Sequence, residues 1–440
     1  MKKISKKVSF YTQGCRLNQA ETAILEKSFE SHGFKIIPFG QVTDIVVVNT
    51  CTVTEGGDSD TRRLVNKINR TQDNAKIALI GCQSQILKEK LLTYKNVQWV
   101  VGNQQKMALS RIIEQAYDDD LDLSKPQLIV NKIKREPFTI EGSGIDRHHT
   151  RANLKIQDGC DFYCAFCTIP FARGPARSRV FEDIIREAVE LVAAGHRELV
   201  LTGINIGTYE YETDTGDQKT IIDVIQALLQ LEGLDRLRLS SIEPTTIPKE
   251  VIFLMRDHPK LCRYLHIPIQ AGSDTVLSAM NRHYTMAEFR EFIEFVYQTV
   301  PDVCIGTDII VGFPGETKGC FDQTVAHLMT MPIHYYHVFS YSERQMARSK
   351  KMGDQVSSPE ITKRSKILRD LSQTQRHAFY SQFLGQTVTV LFEQKKNGYW
   401  VGYTDHFLKV RVASDLNLKN QFLECQLIVI DNQNITGQLV

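Results

Sequence analysis

Short β-branched runs alternate with amphipathic helical patterns in two separate series along this 440-residue chain, and then the helices stop. In the first series, Val8–Tyr11, Asp44–Asn49, Ile77–Ile80 and Trp99–Val101 read as strands, followed by helical periods over 18–32, 58–70, 84–92 and 104–117. Strands that alternate with helices build a parallel sheet, so an open parallel α/β domain is expected over residues 1–117. Residues 118–150 carry Asp118-Asp119-Asp120, Pro126, Pro137 and Gly142-Ser143-Gly144, the composition of a linker. A second series spans 151–383, with strands at 153–157, 198–202, 236–241, 264–267, 304–311 and 335–339 and helices between them. Six units fall short of a closed eight-stranded barrel, so a partial (β/α)6 barrel with its chemistry at the strands' carboxyl ends is expected. From 384 to 440 five short strands follow without a helix, the pattern of a small all-β, OB-like barrel.

Apolar residues at 42% and charged residues at 24% exclude disordered and low-complexity classes. The amino terminus lacks the apolar core of a signal peptide, and no run approaches the roughly 20 apolar residues of a membrane span, so a cytoplasmic enzyme is expected. A net charge of +2 argues against a surface that wraps nucleic acid throughout, but two stretches are locally basic. Residues 147–179 hold six Lys/Arg against two Asp/Glu, and 344–369 hold eight against two. Either could face RNA phosphates or be an ordinary solvated face.

Of ten cysteines, three form Cys160-x3-Cys164-x2-Cys167 directly after the first strand of the second series. Three thiolates on one loop can hold three irons of a cubane and leave the fourth open. A structural zinc site, which would need a fourth ligand, is the alternative. Cys15, Cys51 and Cys82 are separated by 36 and 31 residues, but each follows a strand of the first series within a few positions. If those strands are parallel neighbours, the three thiols gather at one sheet edge, where open α/β folds bind ligands; buried free cysteines are the alternative. Polar groups also end four later strands. They are Gly203 and Asn205 in Leu201–Gly207, Ser241 and Glu243 in Ser240–Pro244, Gln270 in Gln270–Ser273, and Asp308 in Gly306–Thr317. Cys262, Cys304, Cys320 and Cys425 occupy no such position and read as buried or neutral thiols. No histidine forms a recognisable metal or triad motif, and His148-His149 reads as an exposed linker pair.

The Cys160 loop and the strand-end motifs behind it resemble the radical S-adenosylmethionine (SAM) superfamily. Gly14-Cys15-Arg16-Leu17-Asn18-Gln19-Ala20-Glu21-Thr22, Asn49–Thr54, Gly81-Cys82 and Phe171–Arg179 resemble the methylthiotransferase family within it, over nearly the whole chain. That resemblance implies two 4Fe-4S clusters, held by Cys160, Cys164 and Cys167 and by Cys15, Cys51 and Cys82. It also implies SAM, with Gly203, Asn205, Ser241, Glu243, Gln270 and Asp308 as candidate contacts, and a C-terminal RNA-binding module of the TRAM type. SAM would supply a methyl group to a sulfide on the N-terminal cluster and a deoxyadenosyl radical at the other, so that carbon 2 of an adenine is methylthiolated. Among the family's branches, the Cys15 neighbourhood is most like enzymes acting on threonylcarbamoyladenosine at position 37 of tRNA. Isopentenyladenosine comes next and a ribosomal protein last. The implied partners are the anticodon arm, an electron donor protein and a sulfur donor, with neither membrane nor DNA. Arg173, Arg177 and Arg179 could pair with carboxylates or with SAM. Two rivals stay open: a radical methylase or mutase with structural N-terminal cysteines, and an iron-sulfur RNA-binding sensor.

Overall fold

The computed structural model describes residues 6–52, 55–118, 125–142, 150–431 and 433–440. The first series folds as β1 (Lys7–Thr12), α1 (Arg16–Ser31), β2 (Lys35–Ile36), β3 (Ile45–Thr50), α2 (Glu55–Thr71), β4 (Lys76–Gly81), α3 (Cys82–Leu87), α4 (Glu89–Leu92), β5 (Val97–Val101), α5 (Leu109–Asp118) and β6 (Gln127–Ile129). The sheet order is β2-β1-β3-β4-β5-β6 and every pair is parallel. All six residues of β3 are buried. A central parallel strand is covered on both faces, which is why Ile45–Val48 is a continuous apolar run rather than an alternating one. Val47 and Trp99 pack with Leu25 and Phe29 on one face; Val46, Val48 and Val100 pack with Val65 and Leu91 on the other. Part of the segment expected to be linker is thus a sheet edge, because Gln127-Leu128-Ile129 pairs with β5.

The second series gives β7 (Ala152–Lys155), β8 (Gln157–Asp158), α6 (Ile169–Arg173), β9 (Arg177–Ser178), α7 (Phe181–Ala193), β10 (Glu198–Thr202), β11 (Glu210–Glu212), β12 (Gln218–Thr220), α8 (Ile221–Leu229), β13 (Arg236–Leu239), α9 (Lys249–Asp257), β14 (Tyr264–His266), α10 (Asp274–Ala279), α11 (Met286–Thr299), β15 (Cys304–Val311), α12 (Lys318–Thr330), β16 (Tyr335–Ser340) and α13 (Ser358–Ser381). Two parallel three-stranded sheets, β7-β10-β13 and β14-β15-β16, join through a bridge between Leu237 and Leu261 into one six-stranded arc. Leu199, Leu201, Leu237, Leu239 and Leu265 enter the core shared with the helices. The alternate residues Val200, Arg238, Tyr264, His266, Asp308, Tyr335 and His337 therefore line the concave side. The antiparallel hairpin of β11 and β12 is an addition that the alternation does not show.

The last five strands, β17 (Thr387–Lys396), β18 (Tyr399–Tyr403), β19 (Lys409–Ala413), β20 (Phe422–Asp431) and β21 (Asn434–Leu439), close into a barrel in the order β17-β18-β19-β21-β20. It docks where β13 begins: Arg236 donates to the carbonyls of Tyr403 (3.0 Å) and Thr389 (2.7 Å), and Arg238 to those of Asp405 (2.9 Å) and Thr404 (3.0 Å). Arg238 is wholly buried and also donates to Glu198 at 2.7 Å, so its charge is compensated. No described helix is long and apolar enough to cross a membrane.

Candidate active site

β1, β3 and β4 are sheet neighbours, and their carboxyl ends deliver Cys15, Cys51 and Cys82 to one edge. Cys15 stands at the N-cap of α1 and Cys82 at the first residue of α3, so two helix N-termini point toward the group. Gly14 has φ +89°, and a Cβ there would lie 2.8 Å from the Cys51 Sγ. Only glycine lets the first loop approach the second cysteine so closely. The second trio occupies the turn after β7 and β8. Gly159, at φ +76°, precedes it, and a Cβ at that position would lie 1.9 Å from the Pro175 carbonyl oxygen.

All six are free thiols. Burial pushes Cys160 up to about 11 and Cys167 up to about 12, so both favour the neutral form until a cation replaces the lost water. Among the described residues neither trio brings its sulfurs within 4.8 Å of one another. A single tetrahedral zinc would need sulfurs roughly 3.8 Å apart. Neither trio as placed thus meets the spacing of a single bound zinc.

A buried charge network joins the segments that carry the two trios. Arg173, at the end of α6, donates to Asp158 (2.8 Å), to both Glu21 oxygens (3.1 Å each) and to the Asn18 Oδ1 (2.6 Å). Lys155 bridges Glu21 and Asp158 at 2.7 Å each, Lys106 pairs with Glu21, and Arg177 reaches Asp158 at 3.2 Å. Burial would raise the Glu21 carboxyl, but Arg173, Lys106 and Lys155 outweigh it and hold the group below its ordinary range. Burial lowers Lys106 to about 8, with Glu21 opposing. Arg173 is also beside the Cys82 and Cys15 thiols, and Asn103 links Cys82 (3.8 Å) to the Ala172 carbonyl (2.6 Å). From the other side, Arg344 donates to Thr52 at 2.7 Å, while the Ser349 amide donates to the Ala165 carbonyl at 2.9 Å.

The strand-end residues divide between two places. Glu243 is ion-paired with Arg282, whose Nη1 lies 3.2 Å from the Cys164 Sγ, and so belongs to the surroundings of the Cys160 loop. Asn205 accepts from the Glu243 amide (3.3 Å) and from Thr246 (3.0 Å), while its buried Nδ2 finds no partner among the described residues. Gly203 abuts Gln157, whose Oε1 accepts from the Ile204 and Asn205 amides, and Ser241 is half-buried at the end of β13. Gln270 adopts φ +63° and pairs by backbone with Asp308 and Ile310. The Asp308 side chain, however, lies with two histidines: it accepts from His266 at 2.8 Å and from His337 at 3.2 Å. These histidines form no sequence motif and meet Asp308 only through the register of three strands. His148-His149 lies outside the described residues.

Arg173, Arg177 and Arg179 pair with carboxylates, Arg179 with Asp183 at 2.6 Å and with Glu187. Of the two expected pairings for these arginines, the structure shows the carboxylates, and Lys155, Arg173 and Arg179 of this basic stretch are buried. In 344–369, by contrast, Arg348, Lys350, Lys351, Lys363, Lys366 and Arg369 are exposed. Cys262, Cys304, Cys320 and Cys425 are buried, as expected.

Residues 154–328 match the radical SAM superfamily, and residues 7–102 match an uncharacterized protein family, UPF0004. The threonylcarbamoyladenosine tRNA methylthiotransferase MtaB of Bacillus subtilis (strain 168) is 34% identical over 438 residues, 98% of this chain and 96% of that protein. The tRNA-2-methylthio-N(6)-dimethylallyladenosine synthase of Jannaschia sp. (strain CCS1) is 30% identical over 99% of this chain and 95% of its own length. Among solved structures, the radical SAM methyltransferase TsrM of Kitasatospora setae superposes with a TM-score of 0.57 at 16% identity, covering 76% of this chain and 73% of that one; it shows the fold. SAM and 4Fe-4S clusters are accordingly this chain's cofactors. With two gathered cysteine trios, a partial barrel and a relative matched from end to end, the chain belongs to the radical SAM methylthiotransferase family.

Proposed function

We propose that this enzyme methylthiolates carbon 2 of N6-threonylcarbamoyladenosine at position 37 of tRNA. The observation that supports the reading is the buried Glu21–Arg173 network, which joins the helix that follows Cys15 to the Cys160 loop at the carboxyl end of a partial barrel. Cys160, Cys164 and Cys167 would hold one 4Fe-4S cluster and Cys15, Cys51 and Cys82 the other. When bound, the clusters and SAM supply the radical that removes hydrogen from the adenine and the methylthio group that replaces it.

The chain's own residues hold and shield the reactants. Arg282 and Glu243 brace the Cys164 side of the loop, and the unpartnered Asn205 Nδ2 is a donor free for a ligand there. Gly203 gives close backbone approach, and Ser241 and Gln270 complete the set proposed to contact SAM, whereas the Asp308 carboxylate is engaged by His266 and His337. The buried Glu21–Arg173 network keeps water from between the segments that carry the two trios. The exposed cations at 348–369 and the C-terminal TRAM-like barrel would hold the anticodon arm, while the adenine is splayed into the concave side. An electron donor protein, a sulfur donor and a cytoplasmic setting complete the reading.

Mass spectrometry of tRNA nucleosides from cells lacking the gene tests it. Loss of the methylthio form of threonylcarbamoyladenosine alone is expected. Loss of the methylthio isopentenyl form instead would replace the substrate, and loss of neither would overturn the function. Iron counting separates a radical methylase with structural N-terminal cysteines, which needs about four irons where two clusters need about eight.

A further inference from the structure

Beside Cys15, a cavity of about 230 Å³ lies where the three domains meet. Arg16 and Gln19 of α1, Arg151 and Asn153 of the first barrel strand and its approach, and Glu393 of β17 line it. Arg16 is half-buried, yet its guanidinium has no hydrogen bond or ion pair among the described residues; its contact is with the Phe407 ring, 5.9 Å from the centroid. The nearby charges do not supply a counterion. Glu393 is taken by Arg151 (2.6 and 3.4 Å), and Glu198 is taken by Arg238. The Arg151 Nη1, though buried, also lacks a partner among the described residues. Two guanidiniums against one carboxylate leave the lining one positive charge in excess. A half-buried cation among other cations is costly unless something anionic joins it.

We infer that this cavity is a carboxylate-binding site in which Arg16, with the free Nη1 of Arg151, takes the threonyl carboxylate of the substrate base. Arg16 directly follows Cys15, so the cavity adjoins the segment that carries the first cysteine of that trio. The carboxylate neutralises the excess charge, and a planar guanidinium suits it geometrically. An isopentenyl group offers no charge and leaves Arg16 unpaired, so the site favours the acidic substituent by rejecting the apolar one. The inference rests on the threonylcarbamoyladenosine reading above. An RNA phosphate shares the same chemistry and is distinguished in the test.

The test uses reconstituted holoenzyme and three anticodon stem-loops carrying threonylcarbamoyladenosine, its uncharged carboxamide, or isopentenyladenosine. Wild type is expected to show a KM about tenfold lower for the acid than for the carboxamide. Arg16→Gln should raise KM for the acid about tenfold, leave the carboxamide unchanged and hold kcat within about twofold, while Arg16→Lys should restore most of the difference. Iron content and the electron paramagnetic resonance signals of both clusters check that Cys15 keeps its place. An equal rise for acid and carboxamide would mean a phosphate contact or a structural role and would overturn the inference. So would a wild type blind to the difference between acid and carboxamide, a result that needs no variant to fold. Turnover of the isopentenyl stem-loop alone would overturn the substrate reading and the inference together, whereas good turnover of the acid with no effect of Arg16→Gln would overturn the inference only.

Discussion

The Cys160, Cys164 and Cys167 thiols come from eight consecutive residues, whereas Cys15, Cys51 and Cys82 span 68 and meet because β1, β3 and β4 are adjacent. The first trio is a property of one loop, shaped by Gly159 and braced by Arg282. The second is a property of a sheet. The charges that hold the domains together follow the same division. Arg135 and Asp161 tie the Cys160 loop to the preceding segment at its surface, with side chains 63% and 37% exposed, while the Glu21–Arg173 network beside the Cys15 group is wholly buried. A local trio should tolerate loosening of the interdomain contact; a gathered one should fail with it.

The sharpest separation comes from removing ligands. Replacing Cys160, Cys164 and Cys167 together by Ala should leave one cluster and abolish formation of 5′-deoxyadenosine. The same change at Cys15, Cys51 and Cys82 should also leave one cluster, but with 5′-deoxyadenosine still formed and no methylthiolated product. Iron analysis and chromatography of the SAM products check both. If the second variant still methylthiolated at the wild-type rate, the gathered trio would be structural.

Next in size is the buried network. Glu21→Gln leaves Arg173 and Lys155 sharing Asp158 and takes from Lys106 its carboxylate partner, and stranding buried charges costs about 3–5 kcal/mol. Denaturant midpoints should fall accordingly, and on mild heating the Cys15-side cluster should be lost before the other. The effect should depend on pH. Because its cationic neighbours hold the folded Glu21 below its ordinary 4.5, its stabilisation is full above that value and is lost as the pH falls through the folded value. The gap between wild type and variant should therefore close in acid. A constant gap would place the stabilisation elsewhere.

These two predictions also mark what was legible in the sequence. The six barrel strands, the five C-terminal strands and the Cys160 loop announce themselves through period and spacing, which are local. The Cys15 group was legible only through strand order, and β6 escaped because Gln127-Leu128-Ile129 is three residues among charges and prolines. The Glu21–Arg173 contact spans 152 residues, Arg282–Glu243 spans 39, and His266–Asp308–His337 needs three strands in register. A polar residue on the concave face of a strand reads from sequence as simple alternation. Nothing in the chain says which distant partner satisfies it until the arc has closed.

A smaller effect is expected from Gly14→Ala. The left-handed backbone costs a Cβ roughly 1–2 kcal/mol, and the methyl would press on the Cys51 side chain. Absorption and iron content should show selective weakening of the Cys15-side cluster, with 5′-deoxyadenosine formation retained. Equal loss of both clusters would contradict the independence of the loop trio.

The smallest effect belongs to the surface pair. Arg135 donates to both Asp161 oxygens at 2.8 and 2.7 Å, a geometry that resembles the buried contacts of Arg173. Asp161 is the residue after Cys160, so proximity alone would suggest a large consequence. Exposure argues otherwise, because water and salt already compensate both charges, and such pairs contribute about 0–1 kcal/mol. Asp161→Asn should therefore shift the urea midpoint by no more than that amount, shift it less at high salt, and leave both clusters and SAM cleavage intact. Iron counts and 5′-deoxyadenosine yield measured at low and high salt decide the matter. Loss of the Cys160 cluster on the scale expected of the Cys15-side cluster in Glu21→Gln would show that the loop is not self-sufficient, and the contrast between a local and a gathered trio would fail at its simpler half.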